Sequence, residues 1–446
     1  MNLSLNKSNP ALLLLLAMFS CSLLLNFGSF HWRHPWVCAV IIAAVGLQAL
    51  NYKFWWATVV AIIAGFTVML PLFPRLANHA NIEFGGSVLI LILIARKLFS
   101  GKGLRPETIT QILRWTLILT YFWAGFHKLN SGFFMTEGSC GTHVMQNMPF
   151  VPHTIFNLSG VGLRIVQVGT IVIEMVLPFG LLFHKTRRFT VLILVLFHAY
   201  LSLCNFSNFS AFAGFLLLGS IIDLKSMRVD RKLINGVRFY QIFSVASVLA
   251  SYVISRFGLL HENFIMAVNG VIFNIGWFGL FYIALSTRQS RSNSAAFSPL
   301  CLAICSIISL WAVQGYVGLS NTATLTMFSN LVTEKSRSNH YLINTKYTKI
   351  WGFEEDYVTI VSLTKSTKWA EKYSNEDYDI PMIHFKYLCN KWVGENDGKL
   401  SCTFIHHGKS IVVTDLEKSD YSKTEWWYRY LMYRRIPKDG VYSCMW

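Results

Sequence analysis

The sequence predicts an all-α polytopic membrane bundle of about eleven transmembrane helices, followed by a small mixed α/β domain outside the cytoplasm. Three observations lead there. The 446 residues are 53% hydrophobic and only 14% charged, with 34 Phe and 14 Trp. Apolar runs of roughly 17–22 residues recur up to Leu319, each long enough to cross most of a ~30 Å hydrocarbon layer at ~1.5 Å per residue. Residues 320–446 contain no such run and hold 15 of the 22 acidic side chains. The boundary is thus read as a transmembrane domain over 1–319 and an extracytoplasmic domain over 320–446.

The runs lie near 11–27, 35–51, 54–73, 83–99, 111–129, 161–183, 189–205, 207–224, 240–257, 264–285 and 298–319. Lys7 ahead of the first run is also the pattern of a signal peptide. Bulky Phe19 fits a cleavage site poorly, so the run is read as a span. Trp32, Trp36, Trp55 and Trp56 sit at span ends, where interfacial aromatics belong. His31 and His34 have no third ligand nearby and read as surface residues.

The net charge of +17 raises the question of a polyanionic partner. Its placement argues otherwise, because the last 127 residues net only +2. About seventeen basic side chains fall on connections of one side of the membrane and about five on the other, which orients the chain with its N-terminus inside and its C-terminal domain outside. The lipid bilayer is the partner this composition defines, and no nucleic acid is expected.

The fifth run and its sequel, QILRWTLILTYFWAGFHKLNSGFF over 111–134, carry the main candidate. Arg114 stands near one end, and His127 and Lys128 at the other. Two readings of Lys128 stay open. It is a snorkelling anchor, or an amine that apolar surroundings keep uncharged and able to act as a base. Residues 130–160 form a long, nearly uncharged connection with Cys140, His143, Pro149, Pro152 and His153. It is read as a lid or re-entrant element, with Cys140 as a disulfide half or a free thiol.

Glu174 in the sixth run and His198 in the seventh each fall roughly 15 Å deep, and Lys128 some ~10 Å nearer the outside, at ~1.5 Å per residue. An unpaired charge there is expensive, so Glu174 and His198 are expected to pair. They form either a structural clamp or the floor of a polar cavity with Lys128 at its mouth. Asn205, Ser207, Asn208 and Ser210 would line its outer level. No residues have metal-ligand spacing, and no metal is predicted.

Three motifs together resemble a known family. YFWAGFHKLNSGFF, the pairing of VIEMVLPFGLLFHKTRR with LFHAYLSLCNFSNFSAFAGFLLLGS, and TLTMFSNLVTEKSRSNHYLI are similar to the HTTM (horizontally transferred transmembrane) domain, the membrane part of vitamin K-dependent gamma-glutamyl carboxylase. The resemblance spans roughly residues 10–345. It implies a carboxylase-like membrane enzyme, a lyase in which a reduced quinone (vitamin K hydroquinone or a menaquinol-like quinol) is oxidised by O2. That oxidation drives proton abstraction from a peptide or other extracytoplasmic substrate, to which CO2 adds. Lys128 is then the base, and His198, with Glu174, supports the reacting group. Gly125 would let a flat ring approach the backbone, and Tyr121, Phe122 and Trp123 would wall it, with His127 and Asn205 beside it. A proton- or ion-coupled transporter and a non-catalytic scaffold are the readings from other classes.

The tail resembles no known segment. TKIWGF and YVTIVSLT read as strands, IHFKYLCNKW and KLSCTFIHH as a hairpin about the turn VGENDG, and 423–435 as helical with Trp426, Trp427, Tyr430 and Leu431 on one face. His406 and His407 read as exposed hairpin residues. Cys140, Cys389, Cys402 and Cys444 are candidates for disulfides of unassigned connectivity.

Overall fold

A computed structural model describes residues 9–28, 34–136, 138–146, 148, 159–222, 224–225, 229–258, 262–287, 297–334, 338–363, 373–374, 376–395, 400–438 and 444. His31, Trp32, Pro149, Pro152, His153 and half of the VGENDG turn lie outside them. The chain divides into two compact units. One comprises residues 1–72, 79–122 and 142–308; the other comprises 73–78, 123–141 and 309–446.

Each of the eleven expected runs is helical: α1 (Pro10–Gly28), α2 (Pro35–Leu50), α3 (Trp55–Leu72), α4 (Asn78–Ser100), α5 (Pro106–Phe126), α7 (Gly160–Ile171, prolonged to Leu182), α8 (His184–Leu203), α9 (Ser207–Ile221), α10 (Arg231–Arg256), α11 (Glu262–Ser286) and α12 (Pro299–Ala312). A short α6 (Cys140–Gln146) lies between α5 and α7. Among the described residues six helices are long and apolar enough to cross a membrane, namely α1, α3, α7 with its extension, α8, α10 and α11. The apolar helices α2, α9 and α12 are shorter. The other two are long but more polar. Asn78, His79, Asn81 and Glu83 open α4, and Glu107, Gln111 and Arg114 lie in the first half of α5.

In the first unit α1 is the central helix. Apolar on every side, it buries 15 of its 19 residues against α2, α3, α9 and α10, as an all-round hydrophobic helix must. Asn9 starts it by accepting from Ala11 N–H at 2.9 Å, and Pro10 takes the first-turn position that needs no donor. Its few polar groups find partners inside. Ser22 and Asn26 donate to the Glu83 carboxylate at 2.5 and 2.7 Å. Arg114 and Arg187, counted from the sequence among the basic residues of the connections, are buried instead. Arg114 donates to the Ser220 carbonyl at 2.8 and 3.0 Å, placing a cation at the C-terminal end of α9.

Helix α7 changes pitch where Pro178 demands it. The proline ring cannot coexist with an α-helical carbonyl four residues earlier, that of Glu174. Val172–Val176 open into a π turn in which Leu177 N–H reaches the Val172 carbonyl, and Leu177–Leu182 continue as a 3-10 turn. Glu174 therefore sits at the widest turn of the helix.

Asn205 ends α8. It adopts φ +75°, its N–H reaches Ser202 O at 3.3 Å, and Phe206 N–H reaches Leu201 O at 3.0 Å, which together make a Schellman stop. Asn205→Gly should leave thermal stability almost unchanged, whereas Asn205→Ala should cost about 1 kcal/mol, because alanine lacks the short polar side chain that lets asparagine tolerate the left-handed region. Equal melting temperatures for the two variants would refute this role.

The second unit contains the rest of the chain's structure: α13 (Gln314–Val317), α14 (Thr345–Thr348), β1 (Tyr357–Leu363), β2 (Tyr378–Pro381), α15 (Met382–Glu395), β3 (Cys402–His406), β4 (Lys409–Val413) and β5 (Ile436–Pro437). Its antiparallel sheet has the order β4-β3-β1-β2-β5. Helix α15 lays Phe385, Leu388, Cys389 and Trp392 on Val358, Ile360, Phe404 and Cys402.

Several expectations for this region are corrected. Residues 383–392 form a helix, not a strand, because His384, Phe385, Leu388, Cys389 and Trp392 recur at helical spacing and are the ones buried. β3 instead turns back on β4. TKIWGF is irregular, and 423–435 form only a 3-10 turn at Trp426–Tyr430. Leu431 is buried, so it shares no exposed face with Trp426. Of the four candidate cysteines, Cys140 and Cys444 are joined. Cys389 and Cys402 are free thiols in the sheet core, where burial pushes both up, Cys402 to about 12.

The same unit buries a group of charges. Lys349 Nζ lies 2.5 Å from Glu354, and Glu334 receives Asn321 at 2.6 Å and Arg434 at 3.3 Å. Burial, then the nearby Glu334 charge, push Glu354 up to about 8 against the pull of Lys349. The folded state then holds a proton that the unfolded chain releases above its ordinary value of 4.5, so this contribution to stability is lost as pH rises toward about 8. The melting temperature of the second unit should fall across that window, and Glu354→Gln should flatten the slope. An unchanged slope in the variant would refute the assignment.

Candidate functional site

The boundary between the two units falls inside α5, between Phe122 and Trp123. Tyr121, Phe122, Glu174, His198 and Asn205 belong to the first unit, and Trp123, Gly125, His127 and Lys128 to the second.

In the first unit His198 is fully buried and both its ring nitrogens are engaged. The Ser210 hydroxyl donates to the His198 carbonyl at 3.0 Å, so Nδ1–H donates to Ser210 Oγ at 3.2 Å. Nε2 is left as the acceptor of the Tyr121 hydroxyl. Phe209 and Trp277 pack edge-on against the ring at 5.2 and 5.9 Å. The imidazole is thus satisfied by Tyr121 and Ser210, not by the expected Glu174 carboxylate. Glu174 acts electrostatically on Tyr121 and shares that neighbourhood through it. Phe122 meets Phe179 edge-on at 6.0 Å. Asn205 serves as the stop of α8, with its Oδ1 buried and lacking a hydrogen-bond partner among the described residues.

In the second unit the chain leaves α5 through a tightening turn. His127 N–H reaches Trp123 O at 2.9 Å, and Lys128 N–H reaches Gly125 O at 3.0 Å. Lys128 is 2% exposed, and its Nζ donates to Ala124 O at 3.2 Å and Met327 O at 2.9 Å. His127 Nδ1 donates to Leu325 O at 3.0 Å; its Nε2 is buried near the Ala312 carbonyl without a well-formed hydrogen bond. Around them stand Trp123, whose indole N–H points to Ser309 Oγ at 3.3 Å, Phe126, Tyr316 and His340.

The Leu325 and Met327 carbonyls come from an unusual loop. Ala323, Leu325, Phe328 and Asn330 all adopt positive φ, between 48 and 63°. None is glycine, and such residues cost of order 1–2 kcal/mol each. Asn130 fastens the loop to the end of α5. Fully buried, its Nδ2 donates to His127 O and Ser329 O, both at 2.6 Å, and its Oδ1 accepts from Phe133 N–H at 2.9 Å. His340 joins from beyond the loop, donating through Nε2 to Phe126 O at 3.0 Å while Nδ1 accepts from Leu342 and Ile343 N–H. Burial pushes its imidazole below the ordinary range.

Neither Asn130 nor His340 stands out in the sequence as a site residue, because the groups they hold are backbone carbonyls that leave no side-chain signature. Glu83, buried and held by Ser22 and Asn26, differs from them in having a signal, a carboxylate within an apolar run. No family model, curated protein or solved structure matches the chain.

Proposed function

We propose that the chain is an integral membrane enzyme that couples oxidation of a reduced quinone by dioxygen to proton abstraction from, and carboxylation of, a substrate outside the cytoplasm. Lys128 is its base. The observation that carries this reading is the strained loop 323–330, whose carbonyls hold His127 and Lys128 at the end of α5. Strain of this kind is kept where a side chain must be held in one place for chemistry. The loop and the α5 terminus also lie in two of the three motifs that carry the HTTM resemblance.

The residues present would offer a hydroxylated ring one unsatisfied nitrogen and aromatic side chains. With Nδ1–H committed to Leu325, His127 Nε2 is an acceptor that a quinol hydroxyl would satisfy. Trp123 and Phe126 offer aromatic surface, and Gly125 is buried beside Lys128. A quinol, when bound, supplies the electrons that dioxygen accepts. Lys128 Nζ takes a proton, and the Ala124 and Met327 carbonyls set its direction. A second reading, in which Lys128 is a fixed cation clamping the loop, is favoured by the same two contacts.

The orientation proposed from the basic asymmetry, over eleven crossings, gains two supports. The second unit collects residues 73–78 after α3, 123–141 at the end of α5, and everything after α12. These connections share one side when each of the eleven helices crosses. The Cys140–Cys444 disulfide lies in that unit and suits an oxidising compartment. A C-terminal phosphatase fusion should be active and a fluorescent-protein fusion dark; the reverse would overturn the orientation.

The function itself is tested by adding reduced menaquinone to the purified protein in detergent. Oxygen-dependent quinone formation above the rate in empty micelles is expected, and no such rate would overturn the proposal.

A further inference from the structure

The C-terminal sheet brings Asp356 up to two further metal-ligating side chains, His406 and its neighbour His407, from 50 residues away in sequence. Asp356 stands immediately before β1, its backbone carbonyl held by Met382 N–H at 2.8 Å. His406 is the last residue of β3, and His407 begins the tight turn to β4 with φ +48°, followed by Gly408 at +74°. Antiparallel pairing sets Val358 opposite His406, so Asp356 falls opposite the turn. His406 Nε2 lies 2.7 Å and His407 Nε2 3.4 Å from the same Asp356 Oδ1, and all three ligand atoms lie within 4.8 Å of one another. The imidazole rings are 4.0 Å apart.

We infer that Asp356, His406 and His407 form a surface site for a late first-row divalent cation of the Zn2+ type. Two imidazoles and one carboxylate are the donor set such ions prefer over Mg2+ or Ca2+. Bonds of about 2.0–2.1 Å place neighbouring tetrahedral ligands about 3.4 Å apart. The His407–Asp356 separation already has that value, and the His406–Asp356 contact reaches it by a small rotation of the imidazole. Three protein ligands leave a coordination position open to water or to an anionic group of a ligand. The side chains are accessible, with His407 74% and Asp356 47% exposed. The ion would tie the start of β1 to the β3–β4 turn, and the site is independent of the reading of Lys128.

The test uses the tag-free full-length chain in detergent, stripped with a chelator and titrated with Co2+. One equivalent should give visible d–d bands that Zn2+ abolishes, and Zn2+ should raise the melting temperature. Asp356→Asn and His406→Gln should each weaken binding tenfold or more. His407→Gln, in an exposed turn where folding is not at stake, should do the same, while the exposed His34→Gln should change nothing. Bands and Zn2+-dependent melting that persist in the His407→Gln and Asp356→Asn variants, or that never form, would overturn the site.

Discussion

Lys128→Arg should abolish quinol oxidation, by 10²-fold or more, while leaving the melting temperature close to that of the parent protein. A guanidinium can still donate to the Ala124 and Met327 carbonyls, so the contacts that hold the loop survive. It stays protonated in proteins and cannot take a proton from a hydroxyl. Lys128→Ala should lose activity and stability together, because both carbonyls lose their donor. A small primary amine added to the alanine variant should restore part of the rate by filling the vacated position. An arginine variant as active as the parent would make Lys128 a clamp, and the carboxylase-like proposal would have to be abandoned.

Asn130→Ala should be the most destabilising single change in the second unit, at about 3–5 kcal/mol. The amide donates to His127 O and Ser329 O and accepts from Phe133 N–H, all inside the protein. Truncation strands three buried backbone groups at once, at about 1–3 kcal/mol each with partial relaxation. It also frees a loop whose four left-handed residues are held only by what surrounds them. Asn130→Asp should be no milder, since it sets a carboxylate oxygen against two carbonyls. Denaturant melts of the full chain check this, and a loss below about 1 kcal/mol would show that the loop is held elsewhere.

The C-terminal region marks where residue composition failed as a guide. In IHFKYLCNKW an aromatic and β-branched composition favours a strand, yet the buried positions follow a 3.6-residue repeat because the sheet needs a helix to cover it. The strands at 357–363 and 402–406 were legible because Val358 and Ile360, and Cys402 and Phe404, alternate inward. For the 383–392 segment tertiary packing overrode local preference.

By itself the sequence determined the positions of eleven apolar helices, six of them long and apolar enough to cross a membrane, and the burial of Glu174 and His198. These follow from apolar run length and from the high cost of charge in hydrocarbon, both local properties of the chain. Only the tertiary structure decided the partners. Tyr121 and Ser210, not Glu174, satisfy His198; the Met327 carbonyl, from a loop 199 residues away, helps hold Lys128; and Asp356 meets His406 and His407. The reason is physical. A buried polar group needs some partner, and sequence reveals that need, but which donor or acceptor meets it depends on chain segments brought together by packing.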